Sequence, residues 1–286
     1  MAKIELRDVS YVYSKGTPFE KRALDHVSCS FESGKITGLI GHTGSGKSTL
    51  VSLLNGLYRP TEGQVLLDGV NIWDKPRDIA KICFRVGLVM QYPEYQLFDE
   101  TVRRDIAFAP KNLGLSEEEI DRRVREAASF VGIDESWMEK SPFELSGGQK
   151  RRVAIAGILA MEPEVLVLDE PAAGLDPCGR REILSGLCRY AKEKGVSVIL
   201  VSHSMEDMAH YCDNVMVMAN ARLYRSGTVE EIFADPRSLT EVGLSVPEIA
   251  TVGAYLVEHG IDLHGCLYTV EGLCEAILKC REEGRR

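Results

Sequence analysis

No stretch of this 286-residue chain approaches the roughly 18 consecutive apolar residues of a membrane-spanning helix. Positive charge is also scarce. Thirty-four Lys and Arg stand against 43 Asp and Glu, a formal charge of −9, without the basic excess that nonspecific nucleic-acid binding needs. The eight cysteines (Cys29, Cys83, Cys178, Cys188, Cys212, Cys266, Cys274 and Cys280) include no CxxC pair. Free, mostly buried thiols are expected rather than disulfides or a metal site. Internal repeats and low-complexity segments are missing as well. The start, MAKIELRDVS, carries charges where a signal peptide needs an apolar core, so the chain is expected to stay in the cytoplasm. What is present is an ordinary globular balance, 44% hydrophobic and 27% charged, long enough for one large domain with an appendage.

The periodicities alternate between strand and helix. IELRDVSYVY alternates, and HVSCSFESGKITGLIG ends in an apolar run stopped by Gly41. KSTLVSLLNGL spaces Leu50, Leu53, Leu54 and Leu57 as a helix would, while EGQVLLDG and RVGLVMQ suit strands. From about 92 to 160 the texture is helical: Ser116 with Glu119 forms a capping box ahead of a face made by Ile120, Val124, Ala127 and Val131. EVLVLDEP and VSVILVSH are continuous apolar runs, suited to parallel strands buried on both faces. Between them RREILSGLCRYAKEKG places Ile183, Leu184, Leu187 and Tyr190 on one helix face. The tail from about 240 holds two amphipathic helices, one with Ile249, Val252, Leu256 and Val257, the other with Leu273 and Ile277. The expected fold class is therefore α/β, with a mostly parallel sheet interrupted by a helical insert.

Residues 41–49, GHTGSGKST, satisfy GxxxxGK[ST] between a strand and a helix. Gly41, Gly44 and Gly46 let the backbone approach phosphate closely, and the amides of His42, Thr43, Ser45 and the first helical turn through Thr49 point at the anion. Lys47 supplies charge to the β and γ phosphates, and Ser48 a hydroxyl to Mg²⁺. VLVLDEP ends a strand in Asp169, a carboxylate for Mg²⁺, followed by Glu170, a general base for the attacking water. LSGGQ, Leu145 to Gln149, precedes a second helix, which Ser146 and Gln149 cap reciprocally. Ser146, Gly147, Gly148 and Gln149 thus form a second anion site. A chain with one phosphate loop leaves it without a phosphate unless it closes over the ATP of another subunit.

Over residues 1 to about 230 the chain resembles the ATP-binding-cassette (ABC) ATPases, with Walker A at 41–48, the signature at 145–149 and Walker B at 165–170. The resemblance implies a P-loop ATPase core with an antiparallel β subdomain, binding ATP and Mg²⁺. It assigns Tyr13 to adenine stacking (Tyr11 is the weaker candidate), and Gln91 to Mg²⁺, the attacking water and sensing of the membrane partner. It further assigns Asp176 to a loop across the dimer interface and His203 to the γ-phosphate. A P-loop kinase has no use for LSGGQ. A soluble, non-transport ABC ATPase typically carries coiled-coil inserts or two cassettes in one chain.

A finer resemblance, carried by FEKRALDHVS, GHTGSGKSTL, MQYPEYQLFDETV and IAFAPKNLGL, is to the second of the paired energy-coupling-factor (ECF) transporter ATPases. Cobalt and nickel uptake ATPases are the nearest alternative. The resemblance implies an ATPase domain over 1–235, with its helical insert at about 92–160, and a small helical domain over 236–286. It implies a homologous ATPase as dimer partner, hetero- or homodimeric, together with a membrane scaffold subunit and an interchangeable substrate-binding membrane subunit. The same likeness implies uptake of a vitamin or transition-metal ion through those membrane subunits, with this chain peripheral at the cytoplasmic face of the cell membrane. The segment after Gln91 is expected to receive a scaffold helix, with Tyr92, Tyr95, Leu97 and Phe98 as apolar contacts and Glu94 and Asp99 pairing with its arginines.

Overall fold

The computed structural model describes residues 3–282; Met1, Ala2 and the last four residues of the expected tail lie outside the described residues. The alternation of the first segment forms β1 (Ile4–Tyr13), antiparallel to β2 (Lys21–Phe31). β3 (Ile36–Gly41) is buried throughout and runs through the glycine loop into α1 (Lys47–Leu54). β4 (Glu62–Leu67) and β5 (Val70–Asn71) complete a four-stranded antiparallel sheet ordered β2-β1-β4-β5. α2 (Ile79–Arg85) feeds β6 (Val86–Val89), and the insert follows with α3 (Val102–Asn112), α4 (Glu117–Phe130) and α5 (Gly147–Leu159). The chain returns to the sheet with β7 (Val165–Asp169), crosses by α6 (Pro177–Lys194) to β8 (Ser197–Val201), and passes through α7 (Met205–Tyr211) to the hairpin β9 (Asn214–Ala219) and β10 (Arg222–Thr228). Short helices α8 (Val229–Phe233) and α9 (Pro236–Glu241) lead to α10 (Glu248–Glu258) and α11 (Val270–Glu282). Among the described residues no helix is long and apolar enough to cross a membrane.

The main sheet is ordered β10-β9-β3-β8-β7-β6, with every pair parallel except the β9–β10 hairpin. Its strands from β9 to β6 are apolar on both sides because both sides are covered, whereas the edge strand β10 is half open to solvent. Leu39, Val167, Ile199 and Met218 pack with α1 and the antiparallel sheet, while Ile40, Leu168, Leu200 and Val217 pack with the insert and α6. Since β3, β8, β7 and β6 run parallel, their C-terminal ends form one edge. In spatial order that edge carries the loop after Gly41, then His203, then Glu170, then Gln91.

Several local expectations change. Leu57 lies past the end of α1 and is exposed, because the helix stops at Leu54. Ser116 accepts from the Glu119 amide, but the Glu119 carboxylate turns to Arg122 and Arg123, so only half of that capping box forms. In the tail, Val252, Val257 and Ile277 are exposed; the buried positions are the smaller Ala250, Gly253 and Ala276, with Leu273 and Cys280. Of the eight cysteines only Cys280 is buried, Cys178 and Cys274 are exposed, and the other five are half-buried.

Candidate nucleotide site

The loop after β3 is shaped by backbone no other residue type would tolerate. Gly46, the N-cap of α1, has φ +107°, and a Cβ there would lie 2.5 Å from the Ala23 carbonyl oxygen. The loop therefore lies directly on β2. Lys47 is buried, and its Nζ donates to the carbonyls of Gly41 (2.6 Å) and His42 (3.2 Å). Burial draws the Lys47 ammonium below the usual lysine value, opposed by the charges of Asp169 and Glu170. Ser45 is fully buried, its hydroxyl without a partner.

Across the edge, Asp169 ends β7. Burial raises its carboxyl above the ordinary value, reinforced by Glu170 and opposed by a hydrogen bond to Ser48 and the charge of Lys47. Glu170 follows in the left-handed region (φ +53°), its amide donating to the Val201 carbonyl of β8. That turn swings its side chain across the sheet edge. Glu170 Oε1 lies 2.8 Å from His203 Nε2, and Gln91 Nε2 donates to Glu170 Oε2 at 3.5 Å. Three strands thus place a carboxylate, an imidazole and an amide in one constellation. A cavity of about 340 Å³ opens beside Glu170 and His203, bounded also by Gly174, Arg180 and Asp207.

The N-terminal strand brings a cluster of tyrosines to α1. The Tyr13 hydroxyl is 3.1 Å from Thr49 Oγ1, one residue past Ser48. Tyr11 stacks on Tyr58, with centroids 5.3 Å apart and rings 15° from parallel, so one of its faces is taken by its own domain. Of the two expected adenine platforms, Tyr13 is the one attached to the loop helix.

The signature lies elsewhere. Ser146 and Gln149 cap α5 reciprocally, each side chain bonded to the other's amide. A separate concavity of about 350 Å³ is lined by Ser146, Gly148 and Gln149 together with Asp176, and by no residue of the 41–49 loop. Asp176 accepts from the amides of Cys178 and Gly179 and so caps α6. The chain therefore presents two anion-receptive helix ends in two different places.

One functional connection was not legible beforehand. Arg151, 3% exposed, forks onto Glu94 (Nε–Oε2 3.0 Å, Nη2–Oε1 2.8 Å) and also donates to the Ala173 carbonyl. It ties the segment after Gln91 to the signature helix and to the turn after Glu170. Glu94 therefore has an internal partner, and Leu97, at 7% exposure, is core; neither is free for the docking role expected of it. An acid in a loop and an arginine inside a capped helix 57 residues later give no sequence signal of pairing.

Comparison with known proteins follows the same outline. The ABC transporter family profile matches residues 24–173. The chain is 50% identical over 284 residues to the energy-coupling factor transporter ATP-binding protein EcfA2 of Clostridium acetobutylicum, covering 99% of each chain. Its likeness to the protein of the same name from Clostridium perfringens is 49% over 277 residues, covering 96% of this chain and 97% of that one. Among solved structures, cbiO1 of Clostridium perfringens, described as part of the ABC transporter complex cbiONQ, superposes with a TM-score of 0.74 at 39% identity, over 87% of this chain and 97% of that one. A dimeric bacterial ABC transporter cassette gives a TM-score of 0.71 at 28% identity, over 79% and 98%.

Proposed function

The chain belongs to the ABC transporter ATPases, as an ATP-binding subunit of the energy-coupling-factor type, and from that premise we propose how its residues bind and hydrolyse ATP and pass the result to membrane partners. The carrying observation is the meeting of Glu170, His203 and Gln91 at the ends of three parallel strands beside the Lys47 loop. The amides of residues 41–49 and Lys47 hold the phosphates. Glu170 takes a proton from the attacking water, Gln91 orients that water, and His203 donates to the γ-phosphate. Ser48 and Asp169 offer hard oxygen donors suited to Mg²⁺, with Gln91 as a further ligand. When bound, that ion would neutralise charge building on the phosphates.

The signature residues Ser146 to Gln149, set apart from this chain's own loop, serve the nucleotide of a second ATPase, and Asp176 lies at that junction. The partner is a homologous ATPase. The pair docks on a membrane scaffold subunit that also holds an interchangeable substrate-binding subunit, and this chain sits peripherally on the cytoplasmic face. The docking surface runs over Tyr92, Tyr95, Phe98 and Phe108, an exposed aromatic patch in which Phe98 and Phe108 meet edge to face. Residues 3–235 act as the ATPase domain, and the helices from 236 onward form a small second domain.

Glu170→Gln tests the chemistry. The variant is expected to retain ATP affinity in the assembled transporter and to lose hydrolysis by on the order of 10²-fold or more. Turnover near the wild-type rate would remove Glu170 from the role of base.

A further inference from the structure

The three tyrosines at the adenine end form a closed set. Tyr13 stands perpendicular to Tyr11 (centroids 4.9 Å apart, rings at 81°) and to Tyr58 (6.0 Å, 88°), while Tyr11 and Tyr58 stack on each other. Tyr58 is not a casual neighbour. It follows α1, and its amide donates to the Ser52 carbonyl (3.2 Å), folding the chain back along the helix that starts with Lys47, Ser48 and Thr49. Tyr11 and Tyr58 both pack on the core shared by the antiparallel sheet and the main sheet. Tyr13 is therefore held at three points: two perpendicular rings and the Thr49 hydroxyl.

We infer that Tyr58 is a positioning residue for nucleotide binding, fixing the Tyr13 ring relative to the phosphate loop so that base and phosphates are met in one rigid frame. The inference rests on the reading of Tyr13 as the adenine platform. An aromatic platform free to rotate must be ordered by each incoming base, whereas a ring fixed by edge-to-face partners meets it already ordered. Tyr58 touches Tyr13 and not the nucleotide, so its removal weakens recognition of the base and leaves recognition of the phosphates alone.

The test measures equilibrium binding of two probes, ATP and inorganic tripolyphosphate, to the full-length chain. Tyr58→Leu is expected to weaken ATP binding about three- to tenfold, the size of the lost ring pairs, with tripolyphosphate affinity held within about twofold. Tyr58→Phe, which keeps the ring and loses the hydroxyl, is expected to restore ATP binding to within about twofold of wild type. Tyr13→Ala separates the inference from its premise. If Tyr13→Ala weakens ATP binding and Tyr58→Leu does not, the positioning role is wrong and the platform stands. If Tyr13→Ala changes nothing, the platform reading fails and takes the inference with it. Equal weakening of both probes by Tyr58→Leu assigns Tyr58 to the support of the phosphate loop and overturns the proposal. Should Tyr58→Leu not fold, Tyr11→Leu removes the other perpendicular ring and is expected to give the same split between probes.

Discussion

Removing the Glu94 carboxylate should cost stability rather than partner binding. Arg151 is 3% exposed, and Glu94 neutralises it through two hydrogen bonds of 3.0 and 2.8 Å. Breaking a buried pair by deleting one member leaves the other charge without compensation, at about 3–5 kcal/mol. Two contacts survive in Glu94→Ala: the Ala173 carbonyl still accepts from the guanidinium, and the Tyr92 ring lies 5.8 Å from it. The expected loss is therefore at the low end, about 3 kcal/mol, or roughly a hundredfold in the folding equilibrium. Replacing both partners, Glu94→Leu with Arg151→Met, should cost less than the sum of the single changes by at least about 1 kcal/mol. Burial alone would raise the Glu94 carboxyl, but the hydrogen bonds from Arg151 hold it below the ordinary value. A carboxylate depressed by folding contributes its full stability above the unfolded value, about 4.3, and loses it as pH falls through the folded value. The gap between wild type and Glu94→Ala should accordingly be widest at neutral pH and close on acidification below about pH 4. Urea denaturation followed by the fluorescence of Trp73 and Trp137, at neutral and acid pH, reads both quantities. A Glu94→Ala protein within about 0.5 kcal/mol of wild type at neutral pH would refute the argument, since that is the size of an ordinary surface change.

Two further expectations concern partners. Ser146→Arg in this subunit, with Lys47 intact, should abolish hydrolysis at the partner ATPase's nucleotide while ATP still binds this chain's own loop, as site-selective nucleotide trapping in the assembled pair would report. Full hydrolysis by a demonstrably monomeric chain would contradict it. Tyr95→Arg or Phe98→Arg, on side chains 84% and 58% exposed, should weaken capture of the membrane scaffold without changing ATP affinity. Undiminished capture by both variants would place the docking surface elsewhere.

The sequence by itself determined the elements whose chemistry is most local, the phosphate loop and the signature cap among them. A glycine loop between strand and helix needs only the residues from Gly41 to Ser48, because the same short backbone segment makes both the turn and the anion site. The capping of α5 by Ser146 and Gln149 spans one helical turn and was equally legible. The doubly buried strands announced themselves as unbroken apolar runs.

Tertiary structure decided what depends on strand order and on packing between distant segments. That Glu170, His203 and Gln91 converge follows from β8, β7 and β6 being parallel neighbours, a fact no local pattern carries. The exposure of Glu94 and Leu97 was misjudged for the same reason, while Tyr92, Tyr95 and Phe98 are exposed as expected. Glu94 looked free because its partner, Arg151, lies 57 residues away, and Leu97 looked available because the core that covers it comes from the insert. Tyr58 had no signal at all: only the return of the chain along α1 brings it against Tyr13. In the tail, helical spacing fixed which residues share a face but not which face is covered: Ala250, Gly253 and Ala276 lie on the buried side with Leu273 and Cys280, and at Gly253 the neighbouring chain comes so close that a Cβ would lie 3.0 Å from the Leu267 carbonyl oxygen.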